Sequence, residues 1–318
     1  MELKLSLGSA ISLGLAKGKL DVELQTIYLM LGSKCTANCK YCAQARGSKA
    51  SKKLLSRVTW HEFPLNKILE RLEDNKAPKR LCIQTLKYPE LLKELVRFVK
   101  EARNKSNILI SACVNPLEEN ELLMLKDAGV SNIGIGLDCA SKDLFYNLKP
   151  GCGSWEDYIE GIRSAVNIFG HCTVHLIIGL GESDFEAINI MSKLKELGAV
   201  PALFSFTPLK GLALDSDWPS LERYRAVQLA RRLIVNENAK LENFEFENSK
   251  LVRILIDKKK LVHAVNLGKP FQARGCKYCT RPFYNERPSG PLYNYPKELS
   301  REEIEKVKVE LRNYGVFG

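Results

Sequence analysis

The chain has 318 residues, with 48 Lys and Arg against 37 Asp and Glu for a net charge of +11, and 45% of its residues are apolar and 27% charged. Those proportions exclude disordered and fibrous classes and leave room for a substantial core, in one large domain or two smaller ones. No window approaches the roughly eighteen uncharged apolar residues of a membrane span, and the opening twenty residues have neither a leading basic cluster nor a small-residue cleavage pattern, so a cytoplasmic protein without membrane attachment is expected.

In chain order, residues 1–24 read as a helical N-terminal extension. From about residue 25, short aliphatic and β-branched runs at 25–31, 80–85, 107–112, 132–138, 172–179 and 202–207 read as strands. They alternate with helical spacing at 65–74, 89–104, 119–129, 155–170, 185–198 and 221–235, several of these closed by glycine. Near-continuous apolar strands, each followed by a helix, predict an α/β fold with a parallel sheet covered by helices. Six such units with right-handed crossovers favour a partial (β/α)6 barrel of TIM type over residues 25–240, with a doubly wound open sheet as the alternative. Residues 241–318 differ. A charged stretch leads into a segment dense in Pro, Gly and aromatics, expected as irregular chain over the barrel mouth, and a short helix follows at 300–315.

Ten cysteines are too few and too unevenly spaced for a disulfide scaffold. Cys35-x3-Cys39-x2-Cys42 follows the first strand, where such architectures place function. Its three thiolates can wrap one iron–sulfur cluster and leave a fourth iron open, which a site needs when a small molecule must bind the metal directly. Zinc with a fourth ligand from elsewhere is the other reading, although structural zinc sites usually come as pairs of Cys-x2-Cys. Cys276-x2-Cys279 is a second metal-like spacing, or else two unrelated buried cysteines. Asp138, at the end of the fourth strand, is either a ligand-binding carboxylate or the cap of a following helix. Cys139, Cys152 and the four histidines His61, His171, His175 and His263 have no ligand spacing and read as structural, with Cys139 in reserve.

The Cys35/Cys39/Cys42 motif, with Tyr41 before its last cysteine and Ala43-Gln44 after it, resembles the signature of radical S-adenosylmethionine (SAM) enzymes of the biotin-synthase-like branch. The resemblance implies a four-iron four-sulfur cluster whose open iron chelates SAM, giving a 5′-deoxyadenosyl radical. It implies ribose binding by Asp138 and an adenine flank at Ile177, in the segment Ile177-Ile178-Gly179-Leu180-Gly181-Glu182. Ile83-Gln84-Thr85 stands where many relatives carry Gly-Gly-Glu, and Gln84 is the cofactor-binding candidate there. Cys82 and Cys113 match positions at which biotin synthase ligates a sacrificial cluster. With Cys276 and Cys279 they imply a second, auxiliary four-iron four-sulfur cluster. Cys172 falls one residue from the next such position, Thr173, and by strand alternation points to the other face.

The tail Gly275-Cys276-x2-Cys279-x-Arg281-Pro282-Phe283-Tyr284-Asn285-Glu286-Arg287-Pro288, with Phe204-Ser205-Phe206-Thr207-Pro208-Leu209-Lys210-Gly211, resembles components of the two-component lipoyl synthases of archaea and some bacteria. That implies sulfur insertion at carbon 6 or 8 of an octanoyl chain, with the auxiliary cluster donating sulfide and Arg281 and Tyr284 beside it or the substrate. The implied partners are an octanoylated lipoyl carrier (a glycine-cleavage H-protein or a dehydrogenase lipoyl domain), the second synthase component and a ferredoxin-type reductant, with nucleic acid not expected. Sulfur transfer to another substrate, as in biotin synthase, and noncatalytic iron–sulfur binding are the alternatives.

Overall fold

The computed structural model describes residues 3–74, 78–273, 275–279, 281 and 283–318. Pro282 of the tail motif and residues 1–2 of the extension lie outside these. The chain runs β1 (Leu3–Ser6), α1 (Leu7–Ser12), β2 (Thr26–Leu31), β3 (Leu54–Leu55), β4 (Val58–Glu62), α2 (Leu65–Asp74), β5 (Arg80–Thr85), α3 (Leu91–Lys105), β6 (Leu109–Val114) and α4 (Glu119–Ala128). It continues through β7 (Val130–Asp138), α5 (Lys142–Leu148), α6 (Trp155–Phe169), β8 (Cys172–Ile178), α7 (Asp184–Glu196), β9 (Ala199–Ser205) and α8 (Leu221–Glu237). A hairpin of β10 (Phe244–Glu247) and β11 (Lys250–Ile254), then α9 (Lys258–Asn266), an irregular stretch and α10 (Arg301–Tyr314) complete it.

β2 and β5 to β9 are parallel neighbours in sequence order. They curl into a half-barrel with helices outside. β2 reads Thr-Ile-Tyr-Leu-Met-Leu and is buried throughout, as a strand must be when helices cover one face and the barrel interior the other. Local chemistry sets the helix ends. Ser154, Ser183 and Ser300 form capping boxes on α6, α7 and α10, and Gly129, Gly170 and Gly315 close α4, α6 and α10 in the left-handed conformation.

The extension is not helical from its start. Leu3–Ser6 is a strand inserted antiparallel between β2 and β4, and it buries Leu3 and Leu5 while the stem of Lys4 is covered and its ammonium reaches Glu62 at 3.7 Å. Four residues are too short for a period to show, so only the tertiary edge of β2 reveals this strand.

Six strands cannot close a barrel, and the irregular tail fills the gap. Tyr284 and Asn285 sit at the mouth, bonded to Ser56 and Thr207. The cysteine loop before them reaches deeper, to the amino ends of the strands: Arg80 donates to the Lys277 carbonyl at 2.8 Å, and Thr26 donates to that of Tyr278. Arg281 joins the two sides of the arc. Its backbone N–H donates to the Tyr28 hydroxyl on β2 at 2.6 Å and its guanidinium to the Leu203 carbonyl on β9 at 3.2 Å. The carbonyls of Pro201 and Leu203, two apart on β9, thus accept from the side chains of Arg231 and Arg281 instead of a further strand.

α8 anchors the rest of the tail through Arg225, which is fully buried. It pairs with Glu310 of α10 at 2.8 Å and donates to the carbonyls of Tyr293 and Leu292. Arg225→Ala would strand a half-buried carboxylate and two carbonyls, and should cost about 3–5 kcal/mol. A lowered urea unfolding midpoint checks this; a loss below about 1 kcal/mol would contradict it.

Candidate active site

β2 is followed by Gly32, whose φ of 103° and close approach to Tyr88, 2.6 Å from where a Cβ would stand, leave room for no other residue. The cysteine loop that follows is laid against loops leaving the other strands. The Thr36 N–H donates to the Lys87 carbonyl at 2.8 Å, Asn38 to Pro150 at 2.9 Å and Lys40 to Leu148 at 2.8 Å. Cys35, Cys39 and Cys42 are free thiols, partly accessible. Burial pushes the Cys42 thiol up to about 11, with Cys35 adding to the rise. Cys39 is raised by its contact with Cys152, whose sulfur lies 3.4 Å away, and by burial. Cys152 reads as structural in the sequence; the structure sets it against the thiol of Cys39.

Asp138, at the end of β7, has a φ of 62°, an uncommon backbone for a residue other than glycine. Its Oδ2 accepts from the Tyr41 hydroxyl at 2.7 Å and from the Lys149 ammonium at 2.9 Å. The residue capping α5 is Ser141, so capping is not the role of Asp138. Lys149 has a buried side chain with its ammonium 4.5 Å from the Tyr158 ring centre. Burial opposes its charge, but the Asp138 carboxylate, with Tyr158 and the thiols of Cys39 and Cys152, carries its pKa above the ordinary lysine value. Nothing in the Asn-Leu-Lys-Pro stretch announces this, because Asp138, Tyr158 and Cys39 all lie outside it.

After β8, Glu182 accepts from the backbone N–H groups of Gly179 and Leu180, both at 2.9 Å, and pairs with Arg223. It stiffens the turn that follows Ile177 and is spent on that task.

Tyr41, Cys42, Asp138 and Ile177 line one part of a chamber of about 210 Å³, and Cys82, Cys113, Cys276 and Cys279 line another. Leu55, Ala202, Phe204 and Tyr284 lie on the same walls. The ring of Tyr284 stands 6.1 Å from Tyr28, 6.4 Å from Trp60 and 6.2 Å from Phe204, an aromatic wall. Gln84 also faces the chamber, but its amide lies 3.2 Å from the Cys82 sulfur and 3.1 Å from that of Cys113, among the second set of thiols.

All four of those thiols carry sequence-predicted ligand roles, and the fold brings them together from β5, β6 and the tail. Contact with Cys113 and then burial raise Cys82, while burial raises Cys276 to about 11 and also raises Cys279. The Cys276 sulfur lies 3.5 Å from the Ser111 hydroxyl. A Cβ at Gly134 would stand 2.9 Å from the Cys113 sulfur, so the missing side chain keeps the space before that thiol clear. Thr173 and His175 face the chamber and Cys172 packs in the outer core, as strand alternation requires. His175 is 3.9 Å from the Cys113 sulfur and is lowered to about 4 by burial, so its imidazole is neutral at neutral pH. Cys139 is fully buried in the core and does not line the chamber.

Among the described residues, no three Cys, His, Asp or Glu side chains stand close enough to hold a single metal ion. The donor set at both ends is nonetheless thiol-rich, undrained by disulfides and open in front of Cys113, which fits a larger thiophilic group such as an iron–sulfur cluster. No helix among them is long and apolar enough to cross a membrane.

Glu286, beside the tail wall, is raised to about 7 from an ordinary 4.5 by burial; its Oε1 accepts from the Asn294 N–H at 3.1 Å. A carboxyl whose folded-state pKa is raised favours the fold in its protonated form, so that contribution is full below about pH 4.5 and is lost as pH rises through about 7. Glu286→Gln should therefore flatten the fall in unfolding free energy across that window, and parallel pH profiles of variant and wild type would contradict it.

The family described as the Radical SAM superfamily matches residues 29–194. Biotin synthase of Clostridium beijerinckii is 28% identical over 203 residues, covering 62% of this chain and 62% of the relative. That of Aquifex aeolicus is 26% identical over 223 residues, covering 66% and 63%. The matches span about three fifths of the length of these curated relatives. Among solved structures, the FeFe-hydrogenase maturase HydG from Carboxydothermus hydrogenoformans superposes with a TM-score of 0.55 at 15% identity, over 91% of this chain and 80% of that one. Methylornithine synthase gives 0.53 at 13% identity, over 89% and 80%. At those identities the likeness is one of fold.

Proposed function

The chain belongs to the radical SAM superfamily, matched over more than half its length, and on that premise we propose that it inserts sulfur into the octanoyl chain of an octanoyl-lysyl carrier protein, as a lipoyl synthase component. The observation that carries the proposal is a single chamber lined by Cys42 and Asp138 in one part and by Cys82, Cys113, Cys276 and Cys279 in another, sharing walls of aliphatic and aromatic side chains, with Cys35 and Cys39 on the same loop as Cys42. Bound there, a four-iron four-sulfur cluster with SAM supplies a 5′-deoxyadenosyl radical, and an auxiliary iron–sulfur cluster supplies sulfide.

The chain's own residues bind and orient. Cys35, Cys39 and Cys42 would hold the first cluster, and Asp138 would accept from ribose hydroxyls, its carboxylate fixed by Tyr41 and Lys149. Cys82, Cys113, Cys276 and Cys279 would hold the second, with neutral His175 and Gln84 at their side. Leu55, Ala202 and Phe204 offer a saturated chain an apolar bed and exclude water from the space a radical crosses. The carrier, a second synthase component and a ferredoxin-type reductant are the partners this reading requires.

The biotin synthase relatives, and the placement of Cys82 and Cys113, favour a second reading with the same chemistry on a dethiobiotin-like substrate. Incubation of the reconstituted protein with an octanoyl-lysyl peptide or with dethiobiotin decides between them by which one gains sulfur.

Cys276→Ala with Cys279→Ala should abolish sulfur transfer, lower iron and sulfide content to about half, and leave reductive SAM cleavage intact. Loss of cleavage in that variant would end the two-cluster reading. Asp138→Asn should weaken SAM binding about tenfold or more, the value of a charge-assisted hydrogen bond, with iron content unchanged. Unaltered binding by equilibrium dialysis would remove Asp138 from the cofactor site.

A further inference from the structure

Positive charge is distributed very unevenly along the chain. Between Glu23 and Glu62 stand seven Lys and Arg side chains and no carboxylate, so this segment supplies most of the net charge of +11. It is the segment that builds the chamber mouth: Tyr41, Cys42, Leu55 and Ser56 are lining residues. Gly211 brings one more cation to it. The Lys49 N–H donates to the Gly211 carbonyl at 2.9 Å, and a Cβ at Gly211 would stand 2.6 Å from the Lys49 backbone, so Lys210 is held beside Lys49.

Some of these cations have work within the chain. Lys52 donates to the carbonyls of Ala43 and Ala45, Lys40 to Asn147, and Arg57 to the Phe283 carbonyl. Arg46, Lys49, Lys53 and Lys210 are exposed, and among the described residues none of the four pairs with a carboxylate. Lys53 lies two residues from Leu55 and Lys210 one from Leu209, both on the chamber wall. Like charges gathered at one rim repel each other, and a polyanionic partner that covers them relieves the repulsion.

We propose that Arg46, Lys49, Lys53 and Lys210 form the docking face for an acidic carrier domain, which lays its acyl-lysine arm into the nearby chamber. The proposal rests on the sulfur-insertion reading. A protein fits better than a nucleic acid because the segment offers little base-stacking surface: Tyr28 and Trp60 are buried, Tyr41 is bonded to Asp138, and the exposed His61 stands alone among its ring side chains. The apolar wall within reach of the rim suits an aliphatic arm.

The test uses the full chain, reconstituted anaerobically, and its Lys49→Glu/Lys53→Glu/Lys210→Glu variant. The probes are an acidic lipoyl domain octanoylated on its lysine and a short, uncharged octanoyl-lysyl peptide. The expected result is a KM for the domain raised about tenfold or more and less sensitive to salt. The peptide should turn over within about twofold of wild type, with iron content and substrate-free SAM cleavage unchanged. An unchanged KM for the domain, or an equal loss with the peptide, overturns the docking face. So does bulk tRNA displacing the domain from wild type while failing to bind the variant, which would make the face a nucleic-acid site. If wild type converts neither probe, it is the sulfur-insertion reading that fails. Equilibrium binding of the domain to wild type and variant still judges the face, and equal affinities reject it.

Discussion

A parallel arc of six strands has an inside but no closing wall, and in this chain the wall is a hydrogen-bonded arginine. Arg281 holds β2 through the Tyr28 hydroxyl and β9 through the Leu203 carbonyl, and its guanidinium lies 3.7 Å over the Phe204 ring. Fixing that one residue fixes the segment on either side of it. Cys276 and Cys279 are carried inward to meet Cys82 and Cys113, and Tyr284 is carried up to complete the aromatic wall. Cys42 shares a chamber with the second thiol set because a tail from the far end of the chain is tied into the gap that the missing strands leave.

Buried cations recur wherever thiols gather. Lys149 stands behind Cys39 and Cys152, Arg80 beside Cys276, and Arg281 beside Cys279. In each place burial raises the thiol and the cation opposes the rise. A thiol held protonated by its surroundings releases its proton when an iron group takes the place of that proton. The cations are also tethers, since Lys149 fixes Asp138 and Arg80 fixes the carbonyl of Lys277. Electrostatic support and positioning are thus supplied by the same side chains.

The strand–helix alternation was legible because each unit obeys one period over many residues: β5 spans Arg80–Thr85 and α2 spans Leu65–Asp74, the limits their patterns suggest. Cys35, Cys39 and Cys42 were legible because their ligand spacing is local. Lys149, Cys152 and His175 were not, since each matters only through partners from other loops and strands, and a single Lys, Cys or His has no spacing to read. The four residues of β1 were too few to show a period. The depth of the cysteine loop was hidden for a different reason: a segment rich in Pro and Gly has no periodicity, and its place is set by Arg80 and Thr26 at the opposite ends of the strands from Cys35.

Two of the four deep thiols arrive with the last fifth of the polypeptide, whereas the loop of Cys35 to Cys42 is synthesised near its start. During synthesis the barrel strands and the first thiol set can therefore be in place while the interior is still open on the side the tail will cover. Cys276 and Cys279 belong to the same segment that covers this side of the chamber, so on the proposed reading that segment would be both ligand donor and cover. On the proposed two-cluster reading, iron and sulfide for that end would have to enter before the tail covers it, which would make the order of chain folding and the order of metal loading a single sequence of events.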